Sequence, residues 1–233
     1  MVKTHSEPCG SGYHSGVPLS VIEVNHPILK AKLTLLRSVE TPRSEFRKLV
    51  ADITSILILE ASKDANLTSV QIQTPLENTS GSNLADVTIG VPVLRAGLAM
   101  VSAFLDAFPE AEIGFVGLER DEQTSEAQVY FEKLPATLDG HSVYLLDPML
   151  ATGGSIITAL RGLVSRGAKS VSCLVLLAAP EGIEAVRKYV DEEQPSIEVQ
   201  IVLSSLEDSL DPNKYIRPGL GDAGDRIFGS TGN

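Results

Sequence analysis

The stretch that decides the fold is His141–Ser155, which reads HSVYLLDPMLATGGS. Its part Val143–Leu146 is a short continuous apolar run, typical of a strand that is covered on both faces. The run ends at Asp147-Pro148, and a proline cannot continue a central ladder of hydrogen bonds. Apolar residues at helical spacing follow: Ile156, Ile157, Ala159, Leu160, Leu163 and Val164. The stretch therefore predicts a strand, a tight loop and a helix.

The loop has the composition of a phosphate-binding cradle. The first N–H groups of a helix lack intrahelical partners and carry partial positive charge. Gly153 and Gly154 would let a phosphate approach those amides, while the hydroxyls of Thr152 and Ser155 would donate further hydrogen bonds. Asp147 could accept hydrogen bonds from sugar hydroxyls. A capped strand-to-helix turn without a ligand is the alternative interpretation.

Two common nucleotide-binding motifs do not fit this loop. A Walker loop requires a lysine after its second glycine, and no lysine follows Gly154. The dinucleotide fingerprint requires a third glycine at a fixed spacing, which the stretch lacks. The phosphate cradle predicted here is therefore of another kind.

Composition and charge narrow the class of protein. The chain has 233 residues, 43% of them hydrophobic, and a formal net charge of −11. This charge argues against a broad surface for nucleic acid or for an anionic membrane, although a small anionic substrate needs only a local cluster of donors. No apolar run reaches the roughly 18 residues that span a bilayer, and the first residues do not resemble a signal peptide. We expect a cytoplasmic protein without a disulfide framework, since its only cysteines are Cys9 and Cys173.

Strand and helix patterns alternate through most of the chain, which predicts one doubly wound α/β domain over residues 1–233. Residues 1–16 are expected to form a flexible arm, and the helices before residue 65 a helical lead-in. The predicted strands are Val17–Val24, Val70–Thr74, Val87–Val93, Ile113–Leu118, Gln128–Leu134, Val143–Leu146, Val171–Leu177 and Val199–Leu203. The predicted helices include Pro27–Arg37, Pro42–Ser62 (with Thr41 as its cap) and Ile183–Val190, and Glu77–Asn83 is predicted to be a polar loop.

Two arginines follow predicted strands. Arg95 comes after Val87–Val93, and Arg120 comes after Ile113–Leu118. Right-handed crossovers place the carboxyl ends of parallel strands at one edge of the sheet, where open α/β folds bind ligands. Both arginines should therefore lie near the loop, where a phosphate would suit their forked donors, although a purely structural role is the alternative. The polar residues 119–127 predict a flap over the site or an ordinary exposed hairpin.

The glycine-rich segment Tyr215–Gly229 carries apolar residues that a disordered tail would lack. A backbone with many glycines can present its N–H and C=O groups directly to a flat ligand. Such groups suit a pyrimidine, whose edge alternates donors and acceptors.

The loop resembles the ribose-phosphate loop of the type I phosphoribosyltransferases. Its Asp-Pro-Met-Leu-Ala-Thr-Gly-Gly-Ser form is similar to that of the uracil phosphoribosyltransferases in particular, because most of the superfamily has a second acid where this chain has Pro148. The resemblance covers Val21–Gly229. Its motifs are Val91–Leu98, Tyr130–Pro135, Asp147–Ser155, Ala178–Gly182 and Pro218–Asp225. The arm before Val17 is longer than is usual for the family, and Glu207 stands where members tend to have Asp, so we assign it no role.

The resemblance implies that the enzyme joins uracil to 5-phosphoribosyl 1-diphosphate and releases UMP and diphosphate. Asp222 and Arg120 would be catalytic, and Ile216, Gly221, Asp222 and Ala223 would bind uracil. The residues that would bind the ribosyl donor are Arg95, Arg120, Asp147, Pro148, Met149, Leu150, Ala151, Thr152, Gly153, Gly154, Ser155 and Asp222.

The same resemblance implies Mg²⁺ as cofactor, a GTP activator and a homo-oligomer, either dimer or tetramer. Because Pro148 replaces the second acid, Mg²⁺ should be held mostly by the diphosphate and by water. Two alternatives remain at this point. The chain could be a regulator of the same fold that binds RNA or DNA, or an enzyme that uses another base such as a purine.

Overall fold

The computed structural model describes residues 19–120 and 127–229. The strands are β1 (Leu19–Glu23), β2 (Leu67–Gln73), β3 (Asn78–Leu84), β4 (Val87–Leu94), β5 (Glu112–Ile113), β6 (Phe115–Arg120), β7 (Ala127–Lys133), β8 (His141–Leu146), β9 (Met149–Leu150), β10 (Ser170–Ala178), β11 (Glu198–Leu206), β12 (Ser209–Leu210) and β13 (Ile216–Arg217). The helices are α1 (Pro27–Arg37), α2 (Arg43–Ala61), α3 (Val101–Ala107), α4 (Gly154–Val164), α5 (Pro180–Glu193) and α6 (Ala223–Phe228), and a short 3₁₀ helix spans Ala96–Met100.

The main sheet is mostly parallel and has the order β1-β11-β10-β8-β4-β6-β7. Every pairing in it is parallel except that of β6 with β7. Short strands β5 and β9 extend the sheet beside β4 and β10. The carboxyl ends of β8, β4 and β6 therefore meet at one edge, as the doubly wound prediction requires.

Helices cover both faces of this sheet. One face packs against α4 and α5, through side chains such as Leu160 and Val186. The other face packs against the helices α1, α2, α3 and α6. On that side Phe104, Phe108 and Tyr144 form an aromatic cluster with ring centroids 5.0 to 5.4 Å apart. The continuous apolar runs of the central strands follow from burial on both faces.

The helices α1 and α2 confirm the predicted helical lead-in, but the predicted cap of α2 is absent. The first helix has the predicted bounds, and Pro27 lies in its first turn. The prediction that Thr41 caps the second helix was wrong, because no side chain caps that helix. The Thr41 hydroxyl instead donates to the carbonyl oxygen of Leu35 at 2.5 Å, so it closes the turn between the helices.

Two strand predictions were also wrong in their detail. The segment predicted as a polar loop, Glu77–Asn83, mostly forms β3, which pairs with β2 as an antiparallel hairpin. The predicted strand Ile113–Leu118 is interrupted at Gly114, so β5 and β6 are separate. A Cβ on Gly114 would lie 2.6 Å from Leu134 Cδ2, which explains why a residue without a side chain stands there.

Some predictions concern residues outside the described part of the chain. These are the arm over residues 1–16 and the tip of the flap over residues 121–126. Within the described residues, no helix combines the length and the apolar character that crossing a bilayer requires.

Candidate active site

After β8 the chain stays hydrogen-bonded to β10 before it reaches the predicted cradle. The amide of Asp147 donates to Leu174 of β10, and then the carbonyl oxygen of Pro148 accepts from the amides of Leu176 and Leu177 at 3.0 and 3.1 Å. After this irregular point β9 resumes parallel pairing with β10. The sequence predicted that Pro148 ends the ladder, but the ladder resumes one residue later. The chain therefore stays against the sheet until Leu150 and turns only afterwards.

The turn depends on two glycines at the contact between the loop and α5. Gly153 precedes α4 with a φ of 85°, a left-handed conformation that favours glycine. A Cβ there would lie 3.0 Å from the carbonyl oxygen of Gly182 in the first turn of α5. In return, a Cβ on Gly182 would overlap the carbonyl oxygen of Ala151. Close contact between the loop and α5 therefore fixes the loop in front of the open N-terminus of α4.

Asp147 is the one acid of the loop, and it is only 8% exposed. Burial raises the pKa of Asp147 to about 7, although a hydrogen bond from the amide of Met149 at 3.3 Å opposes the rise. The thiol of Cys173 on β10 has a pKa raised by its own burial and, to a smaller extent, by the charge of Asp147. A carboxyl group with such a pKa exchanges its proton near neutral pH and can accept hydrogen bonds from hydroxyl groups when ionised.

The loop forms one wall of a cavity of about 280 Å³. The opposite wall comes from the C-terminal segment of the chain. The lining residues are Asp147, Met149, Leu150, Ala151, Thr152, Gly153, Gly154, Ser155, Ile156, Asn213, Lys214, Tyr215, Ile216, Gly221, Asp222 and Ala223. The structure thus brings most of the loop predicted for ribose phosphate and all the residues predicted for uracil to a single cavity.

The opposite wall is held by local hydrogen bonds. Strands β12 and β13 form a small hairpin in which Leu210 pairs with Ile216. In its turn the Asp211 carboxylate accepts from the amides of Asn213 and Tyr215 at 2.9 and 3.0 Å. Further on, Asp222 caps α6 by accepting from the amide of Asp225 at 2.8 Å.

Glu207, to which no role was assigned, anchors this segment to α1. Arg37 Nη1 donates to Glu207 Oε2 at 2.6 Å, and Arg37 Nη2 pairs with Oε1. The amide of Gly219 also donates to Glu207 Oε2, at 3.1 Å. Charged side chains on amphipathic helices usually face solvent, but Arg37 has a partner that lies 170 residues away along the chain.

The remaining predicted residues lie outside the cavity lining. Arg95 follows β4 at the same sheet edge, and its Nη2 lies 3.8 Å from the place of a Cβ on Gly224. It therefore stands beside the start of α6. Arg120 ends β6, the strand next to β4, and its side chain lies outside the described part of the structure. Pro148 is absent from the cavity lining, and its carbonyl group pairs with β10.

Sequence analysis missed four cavity residues: Ile156, which directly follows the loop, and the turn residues Asn213, Lys214 and Tyr215. The available signal was the turn sequence Asp211-Pro212-Asn213 directly before the glycine-rich segment. It predicts a turn, but not that the turn faces a loop some 60 residues earlier in the chain.

Comparison with solved structures shows which fold the chain has. The structure matches that of the AQ2163 protein from Aquifex aeolicus with a TM-score of 0.82 and 35% identity, over 90% of this chain and 98% of that one. It also matches an adenine phosphoribosyltransferase from Leishmania donovani with a TM-score of 0.53 and 14% identity, over 87% and 89% of the two chains, a likeness of fold alone. The fold is that of the type I phosphoribosyltransferases.

The sequence comparisons lead to one family within this class. The model of the uracil phosphoribosyltransferase family matches residues 23–230. A uracil phosphoribosyltransferase of Salinibacter ruber is 46% identical over 91% of this chain and 98% of its own length. One from Kocuria rhizophila is 44% identical over 91% and 99% of the two chains. The chain belongs to the uracil phosphoribosyltransferase family.

Proposed function

We propose that this protein transfers the phosphoribosyl group of 5-phosphoribosyl 1-diphosphate to uracil and releases UMP and diphosphate. The observation that carries the proposal is the single cavity between the loop Asp147–Ser155 and the segment Ile216–Ala223. An enzyme that joins a ribose phosphate to a base needs the phosphate site and the base site in the same cavity. Membership of the family supports the choice of uracil as the base.

In this proposal the loop holds the ribose 5-phosphate. The open amides at the start of α4 and the hydroxyls of Thr152 and Ser155 would surround the phosphate oxygens. Asp147 would accept hydrogen bonds from the ribose hydroxyls, and ligand binding would favour its ionised form. Gly153 keeps the loop close to α5, so the amides are in place before the substrate arrives.

The base would lie against the backbone of the opposite wall. Ile216, which is 5% exposed, offers an apolar contact for a flat ring. The backbone groups of Gly221 and Ala223 would hydrogen-bond the edge of uracil, and Asp222 would reach toward the ribosyl donor. The φ of 83° at Gly221 allows the chain to turn there without strain.

Charge separation determines what the arginines would do. Breaking the bond to diphosphate leaves positive charge on the sugar ring and adds negative charge to the leaving group. Arg95 and Arg120 would stabilise the diphosphate as this charge develops. Closure of the hairpin of β6 and β7 over the site would exclude water.

We also propose that Mg²⁺ binds together with the diphosphate. Among residues 19–120 and 127–229, no group of three or more His, Cys, Asp and Glu side chains is arranged to hold a metal. Asp147 is the available acid of the loop, since proline follows it. Such a sparse donor set fits an ion bound mainly through substrate oxygens and water, where it would supply further charge stabilisation.

A homo-oligomer is part of the proposal and is supported by the hairpin of β2 and β3. Every residue of its two strands is exposed or half-exposed. Four of its large apolar side chains face solvent to a substantial extent: Leu67, Ile72, Leu76 and Leu84. A two-stranded hairpin that exposes apolar side chains is marginal by itself, so a second copy is a natural partner. Light scattering of the purified protein measures the oligomeric state.

Activation by GTP, the cytoplasmic location and the single-domain organisation remain predictions. GTP activation rests on the family resemblance alone and is checked by assaying the enzyme with and without GTP. Fractionation of cells that express a tagged chain checks the location, and limited proteolysis checks the domain organisation.

The decisive experiment is an assay of the purified protein with the ribosyl donor and Mg²⁺ against four bases: uracil, cytosine, hypoxanthine and orotate. We expect UMP from uracil and little product from the others. Preferential turnover of hypoxanthine would support the purine alternative. Tight RNA binding at physiological salt without formation of UMP would support the regulator, and either outcome would reject our proposal.

A further inference from the structure

Lys214 is the cationic side chain of the cavity. Two carboxyl groups, those of Asp147 and Asp222, belong to the same described lining, but no arginine or second lysine does. The loop Asp147–Ser155 itself contains neither lysine nor arginine. Hydroxyl and amide donors are neutral, so among the described lining residues a phosphate would meet two acids and, apart from Lys214, no full positive charge.

The backbone of Lys214 is unusual. Its φ of 69° makes it the only residue other than glycine with positive φ in the described structure. The Asp211 side chain accepts from the amides on both sides of it, and the amide of Lys214 donates to the Asp211 carbonyl oxygen at 2.9 Å. A side chain in this region is strained, and such strain persists only where the surroundings fix it. The turn therefore fixes where the lysine stem begins.

Lys214 lines the same cavity as the loop and lies near the first turn of α5. Glu181, in the first turn of α5, has a pKa lowered mainly by a hydrogen bond from the amide of Leu210, and the charge of Lys214 lowers it further. The next residue, Gly182, is in contact with the loop carbonyl of Ala151. Lys214 thus lies near the elements that hold the cradle.

The ammonium group is available for a ligand. Among the described residues, no carboxylate lies within the 4.0 Å of an ion pair from Lys214 Nζ. A lysine has three donors on a flexible four-carbon stem, which lets it follow a phosphate as a mobile point charge. In a chain with a net charge of −11, a single local cation has a large effect on whether an anion enters.

We propose that Lys214 binds the 5-phosphate of the ribosyl donor from the wall opposite the loop. The inference rests on the proposed function, since it names a further ligand of the same substrate. In this arrangement α4 and the loop hydroxyls bind one side of the phosphate, and the ammonium of Lys214 neutralises the other side.

The test measures binding of ribose 5-phosphate, which carries neither base nor diphosphate, by isothermal titration calorimetry. Lys214→Met should weaken binding by about tenfold or more, because a charge-assisted hydrogen bond is lost. Lys214→Arg should stay within about threefold of the wild type, since it keeps the charge. Lys48→Met is the matched control, because it removes one charge from the exposed face of α2, and it should bind as the wild type does.

Lys214→Gly separates charge from backbone strain. Glycine accepts the left-handed conformation, so this variant should fold at least as well as the wild type while losing the same affinity as Lys214→Met. The affinity of both variants should also depend less steeply on salt concentration. Wild-type affinity in Lys214→Gly and Lys214→Met would overturn the proposal.

Steady-state kinetics distinguishes this inference from the proposed function. Lys214→Met should raise KM for the ribosyl donor and leave KM for uracil unchanged. A change in KM for uracil alone would place the lysine at the base and overturn the assignment. If the wild type forms no UMP, the proposed function fails, and ribose 5-phosphate binding by the variants still decides the role of Lys214. If the wild type does not bind ribose 5-phosphate, the assignment of Lys214 fails, while formation of UMP still decides the proposed function.

Discussion

Glu207→Gln removes the charge from a buried ion pair and keeps the size of the side chain. The side chain of Glu207 is 1% exposed, and that of its partner Arg37 is 25% exposed. In the variant, Arg37 loses its anion while remaining largely covered. The amide of Gly219 keeps an oxygen acceptor, because glutamine retains one.

The size of the effect follows from this geometry. Breaking a fully buried pair by removing one partner costs about 3–5 kcal/mol. Arg37 is a quarter exposed and water can reach part of its guanidinium group, so we expect a loss of about 2–3 kcal/mol in the free energy of unfolding. For a chain of this length that corresponds to a Tm lower by roughly 5–10 °C.

The loss should depend on pH. Burial alone would raise the pKa of Glu207, but hydrogen bonds from Arg37, Ser205 and Gly219 hold it below its ordinary value. A carboxyl group with a lowered pKa stabilises the folded state above its unfolded pKa of about 4.3. That contribution is lost as pH falls through the folded pKa. The difference between wild type and variant should therefore be constant from pH about 8 to about 5 and shrink below about 4.

Urea unfolding at a series of pH values measures the effect. Glu193→Gln is the matched control, since the Arg161–Glu193 pair is exposed at 57% and 52% and should contribute less than about 1 kcal/mol. Equal urea midpoints for Glu207→Gln and the wild type near pH 7 would refute the reasoning. A deficit that persists undiminished at low pH would refute it as well, because the lost interaction would then not be the charge.

The Glu207–Arg37 ion pair also helps to hold the wall of the cavity. Glu207 and Arg37 both contact Gly219, whose segment continues into the cavity wall at Gly221. Loosening this anchor should raise KM for uracil more than KM for the ribosyl donor. An equal rise in both would indicate general unfolding in place of a local effect.

Three further predictions concern the cavity walls. Because burial raises the folded pKa of Asp147 to about 7, the wild type loses stability as pH rises from about 4 to 7 and the buried carboxyl group has to ionise. Asp147→Asn, which stays neutral, should make the unliganded protein more stable than the wild type near pH 8 but not near pH 4, and should lower turnover. Thermal unfolding at both pH values measures the difference in stability. Gly182→Ala should push the Ala151 carbonyl oxygen out of place and raise KM for the ribosyl donor; unchanged kinetics would contradict the close contact. Asp222→Ala should lower the free energy of unfolding by about 1 kcal/mol, because the cap to Asp225 is lost, and it should also reduce turnover. Asp222→Asn keeps a capping oxygen, so it should reduce turnover without a loss of stability.

Patterns within a few residues were sufficient for the elements of the fold. The helix Pro27–Arg37 was predicted with its observed bounds, because its period of apolar residues and its proline start are local properties. The strand before Asp147 and the glycine turn after it were predicted for the same reason. Local chemistry also placed the start of α4, because the left-handed glycine before it is a local property.

Pairing between distant segments decided what the sequence could not show. Strand β3 has the polar composition of a loop and becomes a strand because β2 lies beside it. Strand β9 has two residues, and only its contact with β10 defines it.

The sequence by itself determined the class of fold and the strand, glycine turn and helix around Asp147–Ser155, because these follow from local periodicity and from the backbone preferences of glycine and proline. The tertiary structure alone decided that Lys214 lines the same cavity as this loop and that Arg37 pairs with Glu207. Those contacts depend on how whole helices and strands pack, and no spacing along the chain encodes a distance between side chains that lie 170 residues apart.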